Sequence, residues 1–521
     1  MSPTVKDPSS TGARFGATGA PAARVVSIPR PARPYPSLYQ INTRVLLTSL
    51  SRDLPTHATL DDVPDRLIDQ IAADGFDWVW FLGVWQTGSV GRNVSLNNAE
   101  WQHEFRELLP DFSDQDVSGS CFAIRSYSVH SDFGGNAALE RLRQRIHDRG
   151  MRLLLDFVPN HMAPDHPWVQ QHPEYFVHGT EAQIEREPQN YTRVTTPKGA
   201  MVMAYGRDPY FSGWPDTLQL NYANPGLQEA MASELENIAG MCDGVRCDMA
   251  MLILPDVFER TWGMRPSSFW PGATARARAR QPGFLFMAEV YWDLEWTLQQ
   301  QGFDYTYDKR LYDRLRDGHA RPVRDHFRAD MDFQRKSARF LENHDEPRAA
   351  AVFPPAIYQA AAILTFFCPG LRFIHQGQMD GLRKKIPVHL NRGPVEPVDP
   401  ELHEFYERLL GCLRHPDVEG EWQLLDCRAA WDGNWTWDCY ICFTWRGAGQ
   451  SALIVVVNYA PNQSQCYLQI PVEQINGKAI HLRDLMSSHV YDRDGDDLRA
   501  HGLYLDLPAW GFYVFEMTAA N

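Results

Sequence analysis

The sequence predicts an α/β protein: a closed (β/α)8 TIM barrel with a domain inserted after strand 3 and a C-terminal antiparallel β-sandwich domain. Three observations predict it. Eight short apolar runs recur between Val45 and Gln376, separated mostly by helical patterns. That beat is interrupted once, between Met162 and Tyr222, by a stretch rich in His, Pro, Tyr and turn residues. From about Glu421 the pattern changes to apolar–polar alternation broken by turn residues. A doubly wound open sheet is the alternative, but no GxGxxG follows any of the runs.

Taken in order, residues 1–36 read as a disordered tail. They are rich in Ser, Thr, Ala, Gly, Pro and Arg, with Lys6, Arg14, Arg24, Arg30 and Arg33 against the single acid Asp7. The first strand is placed at Val45 to Leu50. A helix follows from Asp62 to Asp74, with Val63, Leu67, Ile68 and Ile71 on one face and Gly75 after it. Trp78 to Val84 is the second strand. The stretch from Trp85 to about Gly135 is read as a long functional loop. Leu139, Leu142 and Ile146 mark a helix, and Arg152 to Phe157 is the third strand.

Beyond the insert, Asn224 and Pro225 open a helix to Ala239 as N-cap and first-turn proline. Strands four to eight are placed at Gly244–Met249, Phe284–Val290, Phe303–Tyr307, Arg339–Asn343 and Leu371–Gln376. Helices are expected at 294–300, 309–317, 356–367 and 401–413. The barrel therefore takes residues 37–161 and 223–418, the insert 162–222, and the all-β domain 419–521. In that last domain, strands are expected at 440–445, 453–458, 466–470, 503–507 and 512–517.

Composition narrows the function. The chain has 521 residues, 44% apolar and 12% aromatic, enough for a large core. A net charge of −15 argues against nucleic acid as a partner. The 16 tryptophans suit stacking against sugar rings as well as core packing. The nine cysteines show no zinc spacing, and those in apolar surroundings read as small buried hydrophobes. No run reaches the ~18 apolar residues of a membrane span. With no apolar N-terminal stretch, a cytoplasmic protein is expected. Composition is silent on oligomeric state.

Chemistry is expected at the strand ends. Asp156, Asp248, Glu289 and Asp345 close strands three, four, five and seven, so they converge on the C-terminal mouth of the barrel. Buried carboxylates are costly unless paired or used. Arg246 precedes Asp248 by two residues and shares its side of the strand, which favours an ionised Asp248 with a lowered pKa, fit for a nucleophile. Phe286, Met287, Val290, Tyr291 and Trp292 surround Glu289 and should raise its pKa, as a general acid requires. One ionised and one protonated carboxyl is the division of labour of a retaining glycosidase. His161 and His344 adjoin the acids. Trp262, Trp270, Trp292 and Trp296 follow strands four and five and could serve either the acceptor side or the core.

The runs Asp156-Phe-Val-Pro-Asn160-His161, Gly244-Val-Arg246-Cys-Asp248, Ala288-Glu289-Val and Asn343-His344-Asp345 resemble four sequence regions of the α-amylase family of glycoside hydrolases, in family order. Phe122 to Val129 and Leu220-Asn221 are similar to further landmarks. The resemblance covers residues 37–521. It implies that Asp248 attacks the anomeric carbon, that Glu289 is acid and then base, and that Asp345 holds ring hydroxyls and the distorted transition state. It implies hydroxyl contacts from His161 and His344, a sugar-stacking ring at Phe122, an orienting role for Arg246, and supporting roles for Asp156 and Asn160.

Departures accompany it. Met251 and Leu252 stand where family α-amylases often carry Lys-His, and Gln219 stands where Asp is common. These weaken the implied structural calcium, and no cofactor or metal is required by the reading. The run His344-Asp345-Glu346-Pro347-Arg348 resembles oligosaccharide α-glucosidases. The leading expectation is a retaining hydrolase of α-glucosidic bonds in short α-glucans or oligosaccharides. A transglycosylase or disaccharide isomerase with the same residues is the alternative, and a non-catalytic carbohydrate-binding relative a third.

Overall fold

The computed structural model describes residues 33–449, 451–471 and 477–519. The expected tail lies outside the described residues up to position 32. Its last positions are structured: Arg33 pairs with Glu419 at 3.2 Å, and buried Tyr35 meets Trp445 edge-on at 5.0 Å.

Eight parallel strands close into a barrel: β1 (Ser37–Asn42), β2 (Trp78–Leu82), β3 (Arg152–Phe157), β4 (Gly244–Cys247), β5 (Leu285–Ala288), β6 (Tyr305–Tyr307), β7 (Ser337–Arg339) and β8 (Leu371–His375). Each strand pairs with its chain neighbours, and β8 closes on β1. Both faces are covered, so runs such as Trp78-Val-Trp-Phe-Leu82 are buried at every position.

The expected first strand is corrected. Val45 to Leu50 lies in a helix, Thr43–Ser51, because Asn42 caps it by accepting from the Val45 N–H. The true strand, Ser-Leu-Tyr-Gln-Ile-Asn, mixes polar with apolar residues and disguises itself as a loop. The stretch after β2 is also more ordered than expected. Helices Ser89–Asn97 and Ala99–Leu108 and the antiparallel pair Trp85–Thr87/Ile124–Val129 fill it. Phe105, Leu109, Val117 and Leu390 form a small separate core beneath them.

Strands four, five and seven stop short of their expected ends. Asp248 and Glu289 therefore stand on the first residue past β4 and β5, and Asp345 lies on the loop beyond β7. In the interrupted stretch, His161–Met162 pairs with Leu218–Gln219, and a hairpin joins Tyr191–Thr196 to Gly199–Ala204.

The C-terminal residues form a six-stranded antiparallel sheet (421–425, 440–446, 452–458, 512–519, 479–484, 490–494, in spatial order) facing a three-stranded one (427–429, 464–468, 503–507). Leu425, Ile454, Val456, Leu468, Leu482 and Leu505 pack in the core there. The pair 479–484 and 490–494 escaped sequence analysis because half of its side chains are exposed and polar. Trp445 Nε1 donates to Phe367 O at 2.7 Å and Tyr459 Oη to Leu315 O at 2.6 Å, tying this sheet to the barrel.

Candidate active site

The register of the barrel sets the site. Arg246 lies between Asp156 on β3 and Met287 on β5. Its side chain is wholly buried, with the guanidinium over the rings of Phe122, Trp80 and Tyr307 at 5.2, 5.6 and 5.8 Å. A cation there needs charged partners. Nη1 donates to Asp248 Oδ1 at 2.6 Å, Nη2 donates to Glu289 Oε2 at 2.7 Å, and Nη2 lies 3.5 Å from Asp345 Oδ2. One arginine thus gathers three carboxylates from three barrel elements.

Local backbone geometry completes the grip. Met249 takes a left-handed conformation (φ 42°), costly for a side chain of this kind. Its N–H donates to Glu289 Oε2 at 2.8 Å, and the Ala250 N–H donates to the Glu289 carbonyl at 3.0 Å. Tyr291 Oη donates to Glu289 Oε1 at 2.9 Å. Trp292 and Asp293, just past Glu289, also have positive φ. Strained non-glycine residues therefore flank both acids.

Asp345 is the most open of the three, with 38% of its side chain exposed. His344 Nε2 approaches its Oδ2 at 2.9 Å, and Gln40 Nε2 donates to His344 Nδ1 at 2.9 Å. The Asn343 side chain accepts from the Asp345 and Glu346 N–H groups and folds the loop. Phe122 stands 5.4 Å from the His344 ring.

The three acids titrate differently. Burial pushes Glu289 up to about 7, against the pull of Arg246, with Asp248 and Asp345 adding to the rise. Asp345 is also raised by burial, but His344, Arg246 and Lys385 outweigh that and hold it well below the ordinary range. The expectation of a lowered Asp248 is not met. Burial raises it, Arg246 pulls it back and Asp345 raises it further. Arg246 therefore offsets the burial of Asp248 rather than depressing it outright.

Asp156, read as a support of the site, is tied down. Asp156 accepts from the Gly83 N–H at 2.7 Å and Trp80 Nε1 at 3.2 Å, and its carbonyl accepts from Trp85 Nε1 at 2.7 Å. His161 packs on the Trp214 ring at 5.2 Å, and burial pushes it down to about 3, so its imidazole is neutral. Among the described residues no hydrogen bond or ion pair joins it to the three acids. Trp270 is core, with Nε1 bonded to Ala250 O, whereas Trp296 is half exposed. Gln40, Tyr307 and Lys385 were missed. Gln40 was missed because β1 was misplaced, and Tyr307 because a strand-end tyrosine reads as core.

The calcium implied by the resemblance does not fit. Gln219, fully buried, aims its amide nitrogen at three oxygens: Asn160 O and Oδ1, each at 2.9 Å, and Leu220 O at 3.1 Å. An N–H donor already serves the oxygens a cation would need. Among the described residues no group of three or more His, Cys, Asp or Glu could hold a metal ion.

The family model "Alpha amylase, catalytic domain" matches residues 110–396, more than half of the chain. The chain belongs to the α-amylase family. Among its relatives in this family, α-amylase MalA of Haloarcula japonica is 28% identical over 331 residues, covering 62% of this chain and 41% of that protein. The α-1,4-glucan:maltose-1-phosphate maltosyltransferase of Pseudomonas aeruginosa is 27% identical over 277 residues, covering 51% of this chain and 34% of that one. The chain thus spans less than half the length of these relatives. The maltogenic α-amylase AmyB of Thermotoga neapolitana shares the fold with a TM-score of 0.66 at 19% identity, over 93% of this chain and 98% of that one.

Proposed function

We propose that this chain is a retaining glycoside hydrolase that cleaves α-glucosidic bonds of short α-glucans or oligosaccharides by double displacement. The observation that carries the reading is the Arg246 cluster, in which one guanidinium bridges an acid pushed up to about 7 (Glu289), a second held through its Oδ1 (Asp248), and a third held low (Asp345).

The chemistry follows from it. Asp248 Oδ1 is held by Arg246, leaving Oδ2 to attack the anomeric carbon. As that C–O bond forms, the glycosidic C–O bond breaks, and the Glu289 proton passes to the leaving oxygen. Glu289 Oε2 is gripped by two donors, Arg246 and Met249, so Oε1, which accepts from Tyr291 Oη alone, is the oxygen left to bear the proton. Glu289, now a carboxylate, takes a proton from water or a sugar hydroxyl. That oxygen attacks the same carbon and the Asp248 ester bond breaks. Asp345 and His344 bind hydroxyls of the strained ring, Phe122 offers a ring face, and neutral His161 completes the hydroxyl set. The barrel segments 37–161 and 223–418 carry the chemistry. The insert 162–222, whose Trp214 packs on His161, shapes substrate access.

A transglycosylase is the second reading. Met251 and Leu252 are buried and apolar beside Asp248, so they give the leaving group no polar partner. The maltosyltransferase relatives favour it too. All nine cysteines are free thiols, which supports a cytoplasmic setting; among the described residues no helix is long and apolar enough to cross a membrane. Incubation with maltotriose, read by NMR, tests the proposal. Glucose and maltose are expected, with the sugar from the non-reducing side of the cleaved bond released as the α-anomer. Longer or isomeric products favour transfer, and inertness toward every α-glucoside contradicts both readings.

A further inference from the structure

A cavity of about 190 Å³ opens beside the candidate active site and shares His344 with it. Its walls come from the loops after β1, β7 and β8. Five cations line it against one acid, Glu396. Arg392 is neutralised by Asp116 and Asp111, and Arg348 by Glu342 at 2.7 Å. The carboxylate oxygens of Glu396 are taken by the N–H groups of Arg383 and Lys384 at 2.9 and 3.1 Å. That leaves Arg52, Lys384 and Lys385, none with a carboxylate within ion-pair distance among the described residues. Lys385 Nζ donates to the carbonyl of Asp345 itself.

Arg52, Lys384 and Lys385 are exposed, and gathered at one mouth they raise a local positive potential that attracts an anion. Their presence runs against the chain's composition, in which 65 acids outnumber 50 Lys and Arg. The floor adds a second observation. Asn343 and His375 are both more than nine-tenths buried and line the cavity, and Asn343 Nδ2 and His375 Nδ1 have no hydrogen-bond partner. Arg348 Nε, in the same wall, has none either. Buried polar atoms left without partners are rare unless a ligand or water completes them. Asn343 Nδ2 is a donor at the floor and exposed cations stand at the rim, the pairing that a phosphate group takes.

We propose that this cavity is a phosphate-binding subsite, and that it selects glycosyl substrates bearing a phosphate over neutral ones. The proposal rests on the glycosidase reading for its substrate but not for its anion. Arg52 and Lys384 carry the charge recognition, with Asn343 and His375 fixing the phosphate oxygens.

Titration calorimetry with inorganic phosphate, glucose 1-phosphate, glucose 6-phosphate and maltose tests it. The intact protein should bind at least one phosphate-bearing probe more tightly than maltose, with affinity falling as salt rises. The double variant Arg52→Ala/Lys384→Ala should weaken that binding at least tenfold. Arg493→Ala, on the C-terminal six-stranded sheet, should leave it unchanged. Preference for a sugar phosphate assigns the subsite to substrate; equal binding of inorganic phosphate assigns it to the free anion. Maltose binding as tightly as every phosphate probe, or phosphate binding that survives in the double variant, overturns the proposal. Turnover of neutral 4-nitrophenyl α-glucoside in the same preparations separates the two readings. Phosphate binding without turnover of this substrate or of its 6-phosphate sinks the glycosidase alone, and turnover without phosphate binding sinks the subsite alone.

Discussion

Gln40 donates its amide N–H to His344 Nδ1 at 2.9 Å, so the His344 proton sits on Nε2, the nitrogen that faces Asp345. A strand-β1 amide therefore sets the tautomer of a loop histidine across the barrel. Gln40→Leu should cut kcat/KM by about 10- to 100-fold, the scale of a lost hydrogen bond to a charged network, and cost about 1–3 kcal/mol of stability by orphaning the buried His344 Nδ1. Unaltered kinetics would mean that the tautomer does not matter.

The pH profile follows from the two acids. Glu289, pushed up to about 7, must be protonated to act, so kcat/KM should fall as pH rises through about 7. Asp248 must be ionised, which sets the acidic limb. With α-glucosyl fluoride, whose leaving group needs no proton, the alkaline limb of the glycosylation step should disappear. If the limb persists, Glu289 is not the acid.

Glu289 also affects stability. Its folded pKa lies above the unfolded value of 4.5, so between about 4.5 and 7 the folded state binds more protons than the unfolded one. Stability therefore falls as pH rises through that window. Glu289→Gln, which cannot ionise, should gain about 1–3 kcal/mol at pH 8 and little at pH 4. Denaturant melts at the two pH values check this, and an equal gain at both would contradict it.

Chelation should leave the fold intact. Gln219 already bonds the oxygens that a calcium ion would take. Thermal melts with and without EDTA should coincide, whereas Gln219→Ala should cost about 2–5 kcal/mol by orphaning buried carbonyls. A midpoint that drops on adding EDTA would show a metal that this geometry does not accommodate.

The barrel and its three acids were legible because an all-parallel sheet buries both faces, leaving unbroken apolar runs whose ends are marked by charge. Asp248 and Glu289 stand at once on such ends. Gln40 was not legible because β1 mixes Ser, Gln and Asn with its apolar residues, and the more apolar Val45-Leu-Leu that follows is a capped helix. The raised Asp248 was not legible either. Sequence spacing shows the neighbouring Arg246 but not the depth at which both are buried, and depth outweighs the charge. The free cations Arg52, Lys384 and Lys385 come from loops far apart in sequence, and only tertiary structure brings them together.

The central claim is a covalent intermediate on Asp248. The protein should be inactivated with 5-fluoro-α-glucosyl fluoride, digested, and its peptides mapped by mass spectrometry. The account predicts one added glycosyl unit, on the peptide that contains Asp248, and no adduct in Asp248→Asn. An adduct on any other residue, or product of inverted configuration with no adduct at all, would contradict it.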